Sequence, residues 1–583
     1  MKINIKIICK IYVTTMCGIF ALLNSDGLNE TEMCDAFYKG RGRGPESSKL
    51  DYSYMKMTLG FHRLAINGLN DLSNQPIVIN DVVLICNGEI YNYKELYKTM
   101  NVTPVTDSDC EVIIHLYLKY GIEQTLTMLD GVYAFVLYDN RFTENFTNNV
   151  YIARDPFGVR PLYQLSSENN KYKLIGFASE LKMLEPFYNK DPLNYSIAQF
   201  VPGSYSSLYL PNKVLSSWTF THCNSKHFVP TFSYSRLLDS KLDMINEVMT
   251  GIAYYLSSAI SKRCLTTERP IACLLSGGLD SSLITALVNN HFKKENKDYI
   301  LETYSIGLEG SEDLKYAKIV ATYLGTKHTE IIVTEEQMFK AIPEVIYAIE
   351  SYDTTTVRAS IGNYLLGKYI SKNSDAKVIF NGDGSDELFG GYLYMNKCPD
   401  DIEFDRETRR LLKDIHLFDV LRSDKSISSH GLEPRTPFLD RNFVNFVLSI
   451  SPFFRNHNNS RNCEKYLLRN CFTIDKFENF EGKQLLPNSI LFRKKEAFSD
   501  GVSSHGRSLY IILQEYISNH LNEKEMTTKY KVTIDTEKYY YKKLFLTYYS
   551  NCENILPYFW MPKYTIATDP SARTLQHYEI NNA

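Results

Sequence analysis

The sequence predicts two domains of different class, an α+β domain of antiparallel sheets followed by an α/β domain built on a parallel sheet. Short apolar or alternating runs, bounded by Gly, Asn and Asp, fill roughly the first 210 residues. From about residue 241 onwards strand, glycine turn and helix alternate, which is typical of a parallel sheet. A chain of 583 residues also exceeds what one hydrophobic core usually serves, so about two to four domains are expected.

The first half contains predicted strands on both sides of a predicted helix. The helix covers 111–120, where apolar residues recur at helical spacing, and we expect it to end at Gly121. Strands arranged around a helix in this way favour packed antiparallel sheets. The strands are predicted at 58–61, 82–86, 132–138, 150–153 and 174–178.

The second half begins after a polar, irregular stretch over 214–240, which we interpret as a linker. A helix is then predicted over 241–263, followed by a buried strand over 271–275, a glycine turn and a helix over 281–290. Ligands of parallel sheets bind at the carboxyl ends of the strands, so the glycine turn is a candidate binding site. Further strands are predicted at 304–308, 328–333 and Val378–Phe380.

Composition limits the kinds of partner that the protein binds. A net charge of -3 argues against a broad nucleic-acid-binding surface, and no segment approaches the ~18 apolar residues of a membrane span. The 12 cysteines are spread along the chain without Cys-X-X-Cys pairs, which indicates reduced thiols in a cytosolic protein. Residues 1–16 mix isoleucine with lysine and have no targeting character. We therefore expect a cytoplasmic protein that acts on small molecules, with no nucleic-acid or membrane partner.

The first glycine turn, "SGGLDSS" over 276–282, has the properties of a phosphate-binding loop. Its paired glycines let backbone amides approach an anion closely, and the helix that follows adds positive potential at its N-terminus. Ser276, Ser281 and Ser282 add hydroxyl donors, and Asp280 is a candidate Mg²⁺ ligand beside the phosphates. A tight turn capped by serine is the alternative explanation for an isolated Ser-Gly-Gly.

A second glycine-rich loop, "NGDGSDELFGGY" over 381–392, follows another apolar strand. Its three carboxylates repel one another unless a cation compensates them, and a Mg²⁺ bound to pyrophosphate would do so. The alternative is an acidic turn on the surface. The presence of a phosphate loop earlier in the chain favours the metal.

Together with "ESYDTTTVRAS" over 350–360, the two loops resemble the synthetase domain of the asparagine synthetases, a branch of the N-type ATP pyrophosphatases. The resemblance implies ATP as substrate, Mg²⁺ as cofactor, and a lysine at Lys495 that meets the ATP phosphates. It implies Asp280 and Asp386 as metal ligands. The residues expected at ATP and pyrophosphate are Leu275, Ser276, Gly277, Gly278, Asp280, Ser281, Ser282, Ile306, Asn381, Gly382 and Lys495.

The same resemblance implies a site for aspartate at Thr355, Thr356 and Arg358. An arginine suits this role because its guanidinium can grip a carboxylate with two hydrogen bonds. The alternative for Arg358 is an ordinary position on a helix surface.

The chain departs from the family at the expected general base, where Asp383 replaces glutamate, and at Asn381, which replaces serine. Aspartate has a similar pKa but is shorter by about 1.5 Å of reach. Misplacement on that scale costs on the order of 100-fold in rate. Either the neighbouring backbone compensates, or the synthetase step is slow, or another group acts as the base.

The segment "CGIF" at Cys17 resembles the start of the class II glutamine amidotransferases, whose nucleophile is an N-terminal cysteine. An N-terminal cysteine carries its own base, an α-amine with a pKa of about 8. Residues preceding Cys17 convert that amine to an amide and remove the base. The alternative is a structural cysteine in the core. The resemblance implies an N-terminal Ntn-hydrolase sandwich, with antiparallel sheets between helices.

Further segments extend the resemblance in family order, "GFHRLAI" at 60–66 and "CNGEIYN" at 86–92. Arg63 is expected to bind the carboxylate of glutamine. Asn87 and Gly88 are expected to form the oxyanion hole, and Glu89 and Asp109 to hold the α-amino group of glutamine. Taken alone, Asn87-Gly88 is also a common hairpin corner.

The resemblance therefore predicts a glutamine-hydrolysing asparagine synthetase that uses ATP, aspartate and glutamine through a glutamyl thioester at Cys17 and a β-aspartyl-AMP. The alternatives are an amidotransferase or β-lactam-type synthetase acting on another acid, and a weakened homologue without catalytic activity. A homodimer is a further expectation. The predicted segments are an extension over 1–16 that the mature protein lacks, a glutaminase domain over 17–213, the linker over 214–240, a synthetase domain over 241–520 and a Tyr-rich extension over 521–583.

The position of Cys17 generates a testable prediction about where the active chain begins. A protein whose first residue is Cys17 should hydrolyse glutamine, whereas one that keeps residues 1–16 should retain ammonia-dependent synthesis and almost no glutaminase activity. Mass spectrometry of the N-terminus, combined with glutamate release from glutamine, checks this. Full use of glutamine by the extended form would contradict it.

Overall fold

The computed structural model describes residues 17–141, 147–167, 174–211, 216–229, 242–459, 463–495, 501–503, 507–520, 534–567 and 569–570. The predicted extension over 1–16 lies outside these residues. Within the described part of the chain, no helix is both long and apolar enough to cross a membrane.

The first domain contains two antiparallel six-stranded sheets, as the sequence predicts. One sheet has the order β10-β8-β9-β1-β3-β2 and the other the order β12-β11-β7-β6-β5-β4. The strands are β1 Gly18–Leu23, β2 Ser47–Tyr54, β3 Met57–Arg63, β4 Ile77–Ile79, β5 Val82–Ile90, β6 Gly131–Asp139, β7 Thr147–Arg154, β8 Tyr163–Ser166, β9 Ile175–Ala178, β10 Ser196–Gln199, β11 Ser204–Pro211 and β12 Thr219–Lys226.

Helices cover the outer faces of these sheets. Side chains of both sheets, such as Ile19 and Val136, form the core between them. Phe37 and Met183 of flanking helices pack on the outer face of the first sheet. The helices are α1 Glu30–Tyr38, α2 Tyr93–Met100, α3 Val112–Met128 and α4 Leu181–Tyr188, and short 3-10 helices cover Arg41–Arg43, Asp71–Ser73 and Asp109–Glu111. The predicted sandwich of sheets between helices is therefore confirmed.

Two local predictions need correction. The stretch over 214–240 was expected to be irregular, yet β12 lies within it and pairs with β11, because alternating Thr and aromatic residues complete the sheet edge. The helix expected to end at Gly121 resumes after it and reaches Met128. Gly121 has a φ of 76°, which a helix interior does not accept, so the glycine marks a kink between two helical segments.

The second domain contains a five-stranded sheet in the order β15-β14-β13-β16-β17, with every neighbouring pair parallel. The predicted α/β class is confirmed. The sequence did not predict β17, a three-residue edge strand that contains Pro434. The strands are β13 Ile271–Leu274, β14 Glu302–Gly307, β15 Lys327–Ile332, β16 Val378–Phe380 and β17 Glu433–Arg435.

The helices of the second domain surround this sheet. They are α5 Leu242–Leu265, α6 Leu279–Glu295, α7 Glu312–Leu324, α8 Glu335–Ile349, α9 Thr354–Asn373, α10 Ser385–Phe389, α11 Asp401–Asp414, α12 Asp419–Ser428, α13 Arg441–Ser449, α14 Pro452–Arg455, α15 Tyr466–Asn470, α16 Asn488–Leu491, α17 Leu509–His520 and α18 Ile534–Tyr548. Short 3-10 helices cover Leu393–Lys397, Ile415–Leu417, Pro437–Leu439 and Glu553–Ile555.

The Tyr-rich region beyond residue 520 was predicted to be a C-terminal extension, and its described part packs on the second domain. Helix α18 packs against α8 and α9, and its Tyr541 and Phe545 are fully buried. These two aromatic side chains fill the space between α18 and the α8–α9 corner. The described C-terminal residues are therefore part of the core of the second domain.

Candidate active sites

Cys17 lies immediately before β1, at the boundary between the two domains. Its thiol Sγ donates to the Leu64 carbonyl oxygen at 3.2 Å and accepts from the Leu64 N–H at 3.3 Å. Burial raises the pKa of Cys17 to about 12, although the hydrogen bond from Leu64 opposes the rise. A thiol in this state needs a base before it can attack a carbonyl group.

The side chain of Asn87 presents a buried hydrogen-bond donor. Asn87 and Gly88 lie inside β5, opposite Ala134 and Tyr133 of β6, so the alternative of a hairpin corner is wrong. The Asn87 Nδ2 is buried and has no hydrogen-bond partner in the structure. An unpaired buried donor costs about 1–3 kcal/mol, so its presence indicates a group that pairs only with a bound molecule.

Glu89 and Asp109 lie together and share a partner. The Asn67 Nδ2 donates to Glu89 at 2.6 Å and to Asp109 at 3.4 Å. Burial raises the pKa of Asp109 to about 6, and burial and the neighbouring Asp109 raise the pKa of Glu89 well above its ordinary value. Because the pKa values of both carboxyl groups are raised, a cation placed between them, such as an α-ammonium group, would stabilise their ionised forms.

Arg63, at the end of β3, is engaged with the loop that follows. Its guanidinium donates to the carbonyl oxygens of Gly68 and Asn70 and to the Asn74 side chain, the last at 2.8 Å. Its charge also acts on the Cys17 thiol and opposes the rise of the thiol pKa. Arg63 is therefore close to the nucleophile but held by its own loop.

The loop over 276–282 follows β13 and leads into α6, as predicted. Gly277 adopts a φ of 73°, and a Cβ there would lie 2.4 Å from the Ala317 nitrogen, so only glycine fits this turn. The Ser276 and Ser281 hydroxyls are 2.9 Å apart at the mouth of the loop. Ser282 is buried, and its hydroxyl has no hydrogen-bond partner in the structure.

The loop over 381–392 lies directly against the first one. A Cβ on Gly382 would lie 2.8 Å from the Ser281 nitrogen, so glycine allows the two loops to meet. The Ser385 hydroxyl donates to Asp280 at 2.8 Å. The shared pocket is lined by these predicted residues: Leu275, Ser276, Gly278, Asp280, Ser281, Ile306, Thr355, Thr356, Asn381, Gly382, Asp383, Asp386 and Lys495.

Lys465 is a residue of this pocket that sequence reasoning missed. Its ammonium lies 2.6 Å from Asp280 and 2.5 Å from Asp386, and Lys495 lies 2.5 Å from the other oxygen of Asp386. Burial alone would raise the pKa of Asp386, but Lys465 and Lys495 outweigh it and hold the pKa well below its ordinary value. Lys465 stands before an apolar run, and nothing in its local sequence marks it as a pocket residue.

Asp383 faces Arg422 and Asp419 of helix α12. Its carboxylate lies 3.4 Å from Arg422, which in turn contacts Asp419 at 2.6 Å. Burial raises the pKa of Asp383, and the charge of Arg422 opposes this rise. A carboxylate whose pKa is raised is a stronger base once it is ionised, so its surroundings favour proton abstraction.

Thr355 and Thr356 line the pocket from the start of α9, but Arg358 does not. The guanidinium of Arg358 is buried between Glu537 of α18 and Asp569, with four hydrogen bonds of 2.5–2.9 Å. The expected contact between Arg358 and an aspartate carboxylate stays a prediction, and in this structure the C-terminal residues occupy the guanidinium. No local pattern indicates these partners, which follow Arg358 by 179 and 211 positions.

An ion-pair network connects the two sites through the domain boundary. Arg435 of β17 contacts Glu433 at 2.7 Å and Glu89 of the first site at 3.5 Å. Its carbonyl oxygen accepts from the Asn381 N–H of the second site at 3.1 Å. Arg160 contacts Glu433 at 3.0 Å from the first domain. The two sites are therefore held in fixed relation by residues that neither site motif contains.

A second part of this network holds Cys17 itself. The Arg43 Nε donates to the Cys17 carbonyl oxygen at 2.9 Å. The rest of its guanidinium contacts Glu180 at 2.7 Å, Asp424 at 2.8 Å and the Ser428 hydroxyl at 3.0 Å. Asp424 and Ser428 belong to α12, so the helix that presents Arg422 to Asp383 also holds the residue that positions Cys17.

Comparison with known proteins agrees with this two-site arrangement. The protein-family model described as asparagine synthase matches residues 252–403 and 396–560. The family model described as a glutamine amidotransferase domain matches residues 16–207. The glutamine-hydrolyzing asparagine synthetase of Cricetulus griseus is 41% identical over 579 residues, covering 97% of this chain and 99% of the relative. The proteins of the same name from Bos taurus and Homo sapiens are 41% and 40% identical with the same coverage.

The position of Lys465 between two carboxylates generates a prediction about stability and pH. Lys465→Met leaves Asp280 and Asp386 without this buried cation and should cost about 3–5 kcal/mol of unfolding free energy at pH 7. The folded-state pKa of Asp386 is lowered, so the stabilisation is present above its unfolded pKa of about 4 and is lost as the pH falls. The difference between wild type and variant should therefore shrink on acidification.

Thermal unfolding midpoints measured between neutral and acid pH, without nucleotide, check this prediction. The matched control is Lys476→Met, which removes the partner of Asp475 in an exposed pair and should leave the midpoint unchanged. A difference between Lys465→Met and wild type that stays constant with pH would contradict the assignment.

Proposed function

The chain belongs to the family of glutamine-hydrolysing asparagine synthetases, and from this premise we propose that it converts aspartate, glutamine, ATP and water to asparagine, glutamate, AMP and diphosphate. The observation that supports this most is that one residue, Arg435, contacts both sites. Its side chain contacts Glu89 beside the thiol, and its backbone holds Asn381 beside the phosphate loop. A chain that releases ammonia at one site and uses it at another requires such a fixed relation.

In the glutaminase half, Cys17 Sγ attacks the side-chain amide carbon of glutamine. The negative charge that develops on the amide oxygen is accepted by the unpaired Asn87 Nδ2 and by the Gly88 N–H, donors that are already in position before the reaction. Collapse of the intermediate releases ammonia and leaves a glutamyl thioester, which water hydrolyses to glutamate. The free α-amine of Cys17, when it is the first residue, takes the thiol proton.

Binding of glutamine uses the charges around the thiol. Glu89 and Asp109 share Asn67 and suit the α-ammonium group of glutamine, which would relieve the repulsion between them. Arg63 suits the α-carboxylate, provided that its guanidinium gives up part of its contact with the loop carbonyl of Gly68.

In the synthetase half, the β-carboxylate of aspartate attacks the α-phosphorus of ATP, and diphosphate leaves. The loop over 276–282 and Lys495 bind the phosphates and offset the charge that develops on the leaving group. Ammonia then attacks the carbonyl carbon of β-aspartyl-AMP, Asp383 accepts a proton from the attacking nitrogen, and AMP leaves. Thr355 and Thr356 at the start of α9 bind the aspartate.

The carboxylates in the pocket fit a magnesium ion. Asp280 and Asp386 converge on one point, because both lie within 2.6 Å of the Lys465 ammonium. Mg²⁺ in nucleotide sites is held by one or two carboxylates together with substrate phosphates, which matches this donor set. When bound, Mg²⁺ would neutralise charge on the departing diphosphate. A homodimer and a cytoplasmic location remain predictions.

The test of this function uses the protein that begins at Cys17. With aspartate, ATP and Mg²⁺, wild type should form asparagine and diphosphate from either glutamine or ammonia. Cys17→Ala should lose glutamine-dependent synthesis and keep the ammonia-dependent rate, because the synthetase site does not contain the thiol. If the protein forms neither asparagine nor diphosphate from either nitrogen source, the result contradicts the proposed function. Diphosphate formed only with another acid would favour the related amide-forming synthetase.

Asp383 generates a separate prediction. Asp383→Glu should retain or raise ammonia-dependent asparagine formation, because the longer side chain restores the reach of the family's base. The matched control is Asp383→Asn, which removes the base and should reduce the rate by about 100-fold or more. The rates are measured at saturating aspartate and ATP. Complete loss in Asp383→Glu would mean that the surrounding geometry has been rebuilt for aspartate.

A further inference from the structure

The described C-terminal residues, 534–567 and 569–570, lie along the corner between α8 and α9, and we call them the C-terminal strap. The Tyr549 hydroxyl donates to the carbonyl oxygen of Tyr347 in α8 at 2.6 Å. The Tyr352 hydroxyl, just before α9, donates to the carbonyl oxygen of Glu553 at 2.6 Å. The strap is therefore attached at the point where α9 begins, next to the threonines that line the pocket.

Asp353 connects the strap to these threonines directly. One of its oxygens accepts from the Thr356 N–H at 2.9 Å and from the Thr356 hydroxyl at 2.8 Å, which caps α9. The other oxygen accepts from the Trp560 N–H at 2.9 Å. A single buried carboxylate thus fixes the distance between the strap and the start of α9.

Trp560 closes the pocket on this side. It lines the same cavity as Thr355 and Thr356, is only 7% exposed, and packs against Tyr392 with ring centroids 5.2 Å apart. Tyr392 is the last residue of the loop that carries Asp383, so the indole ring lines the pocket beside that loop. A large rigid side chain in this position limits the length of any acid that the pocket admits.

Arg358 completes the attachment and does not carry a free charge for a ligand. Three of its nitrogens donate to Glu537 and Asp569, which are both buried, so one cation already faces two anions. A substrate carboxylate would be a third anion in a dehydrated place and would have to displace one of these partners. The contacts therefore favour a role in holding the strap on α9.

We propose that the C-terminal strap is a positioning element of the aspartate site, in which Trp560 sets the size of the acid pocket and Arg358, through Glu537 and Asp569, fixes the strap on α9. The inference rests on the proposed function and names residues for its acid substrate. It predicts that the strap affects recognition of aspartate, and leaves ATP binding and glutamine hydrolysis unchanged.

The deciding variant is Glu537→Gln, assayed in the full chain beginning at Cys17. If Arg358 acts through the strap, loss of the Glu537 charge should raise the KM for aspartate roughly tenfold, and the KM for ATP and the glutaminase rate should stay within about twofold. If Arg358 instead binds the aspartate carboxylate, freeing it from Glu537 should leave the KM for aspartate unchanged or lower it. That second outcome would overturn the proposal.

The matched control is Glu553→Gln, which also replaces a carboxylate of the strap by an amide. Glu553 contacts Tyr352 through its backbone carbonyl, and its side chain does not contact Arg358. This control variant should leave the KM for aspartate, the KM for ATP and the glutaminase rate unchanged. An equal rise of the aspartate and ATP constants in Glu537→Gln would indicate general distortion and would also overturn the proposal.

Trp560 is tested by the pair Trp560→Phe and Trp560→Ala. The phenylalanine variant keeps an aromatic wall and should raise the KM for aspartate less than the alanine variant does. The alanine variant enlarges the pocket, so it should also increase ATP-dependent diphosphate release with the longer acid glutamate. An unchanged KM for aspartate in both variants would contradict the role of Trp560. Failure of wild type to form asparagine from ammonia would instead disprove the proposed function, so the two failures are distinguishable.

Discussion

The structure depends most on the buried ion pairs between the two domains. Arg160, Arg435, Glu433 and Asp424 are almost completely removed from water, and each carboxylate of the set contacts at least one guanidinium. Burying such charges is costly, and the cost is recovered only when geometry and hydrogen bonding are nearly complete. Removing one partner leaves a buried charge without compensation, so small changes at the boundary are transmitted to both sites.

Helix α12 makes this dependence specific. At one end Arg422 contacts Asp383 and Ser423 accepts a hydrogen bond from Asn381, both in the synthetase loop. Asp424, the next residue, and Ser428, at the C-terminal end of the helix, hold Arg43, which donates to the Cys17 carbonyl oxygen. A rigid helix of ten residues therefore contacts the machinery of both sites. A shift of α12 would change the setting of the nucleophile and of the base together.

Helix α12 also defines the surroundings of Asp383. Arg422 approaches Asp383 at 3.4 Å and is fixed by Asp419, so the shorter carboxylate stands in a defined electrostatic environment. In the same pocket, Trp560 packs against Tyr392, whose hydroxyl contacts Asp419 at 3.4 Å. The C-terminal strap thus completes a pocket whose other walls come from earlier parts of the chain, including Asp280, Asp386 and Lys465.

The sequence by itself determined the class of both domains, the strands before each glycine loop and the residues of the two loops, because these depend on local periodicity and on turns that only glycine can form. It also placed Asn87 and Gly88 together. The tertiary structure alone decided which charges meet: Lys465 between Asp280 and Asp386, Arg435 beside Glu89, and Arg358 between Glu537 and Asp569. These partners lie far apart in the chain, and no local pattern records an ion pair whose strength arises only when folding removes the water around it.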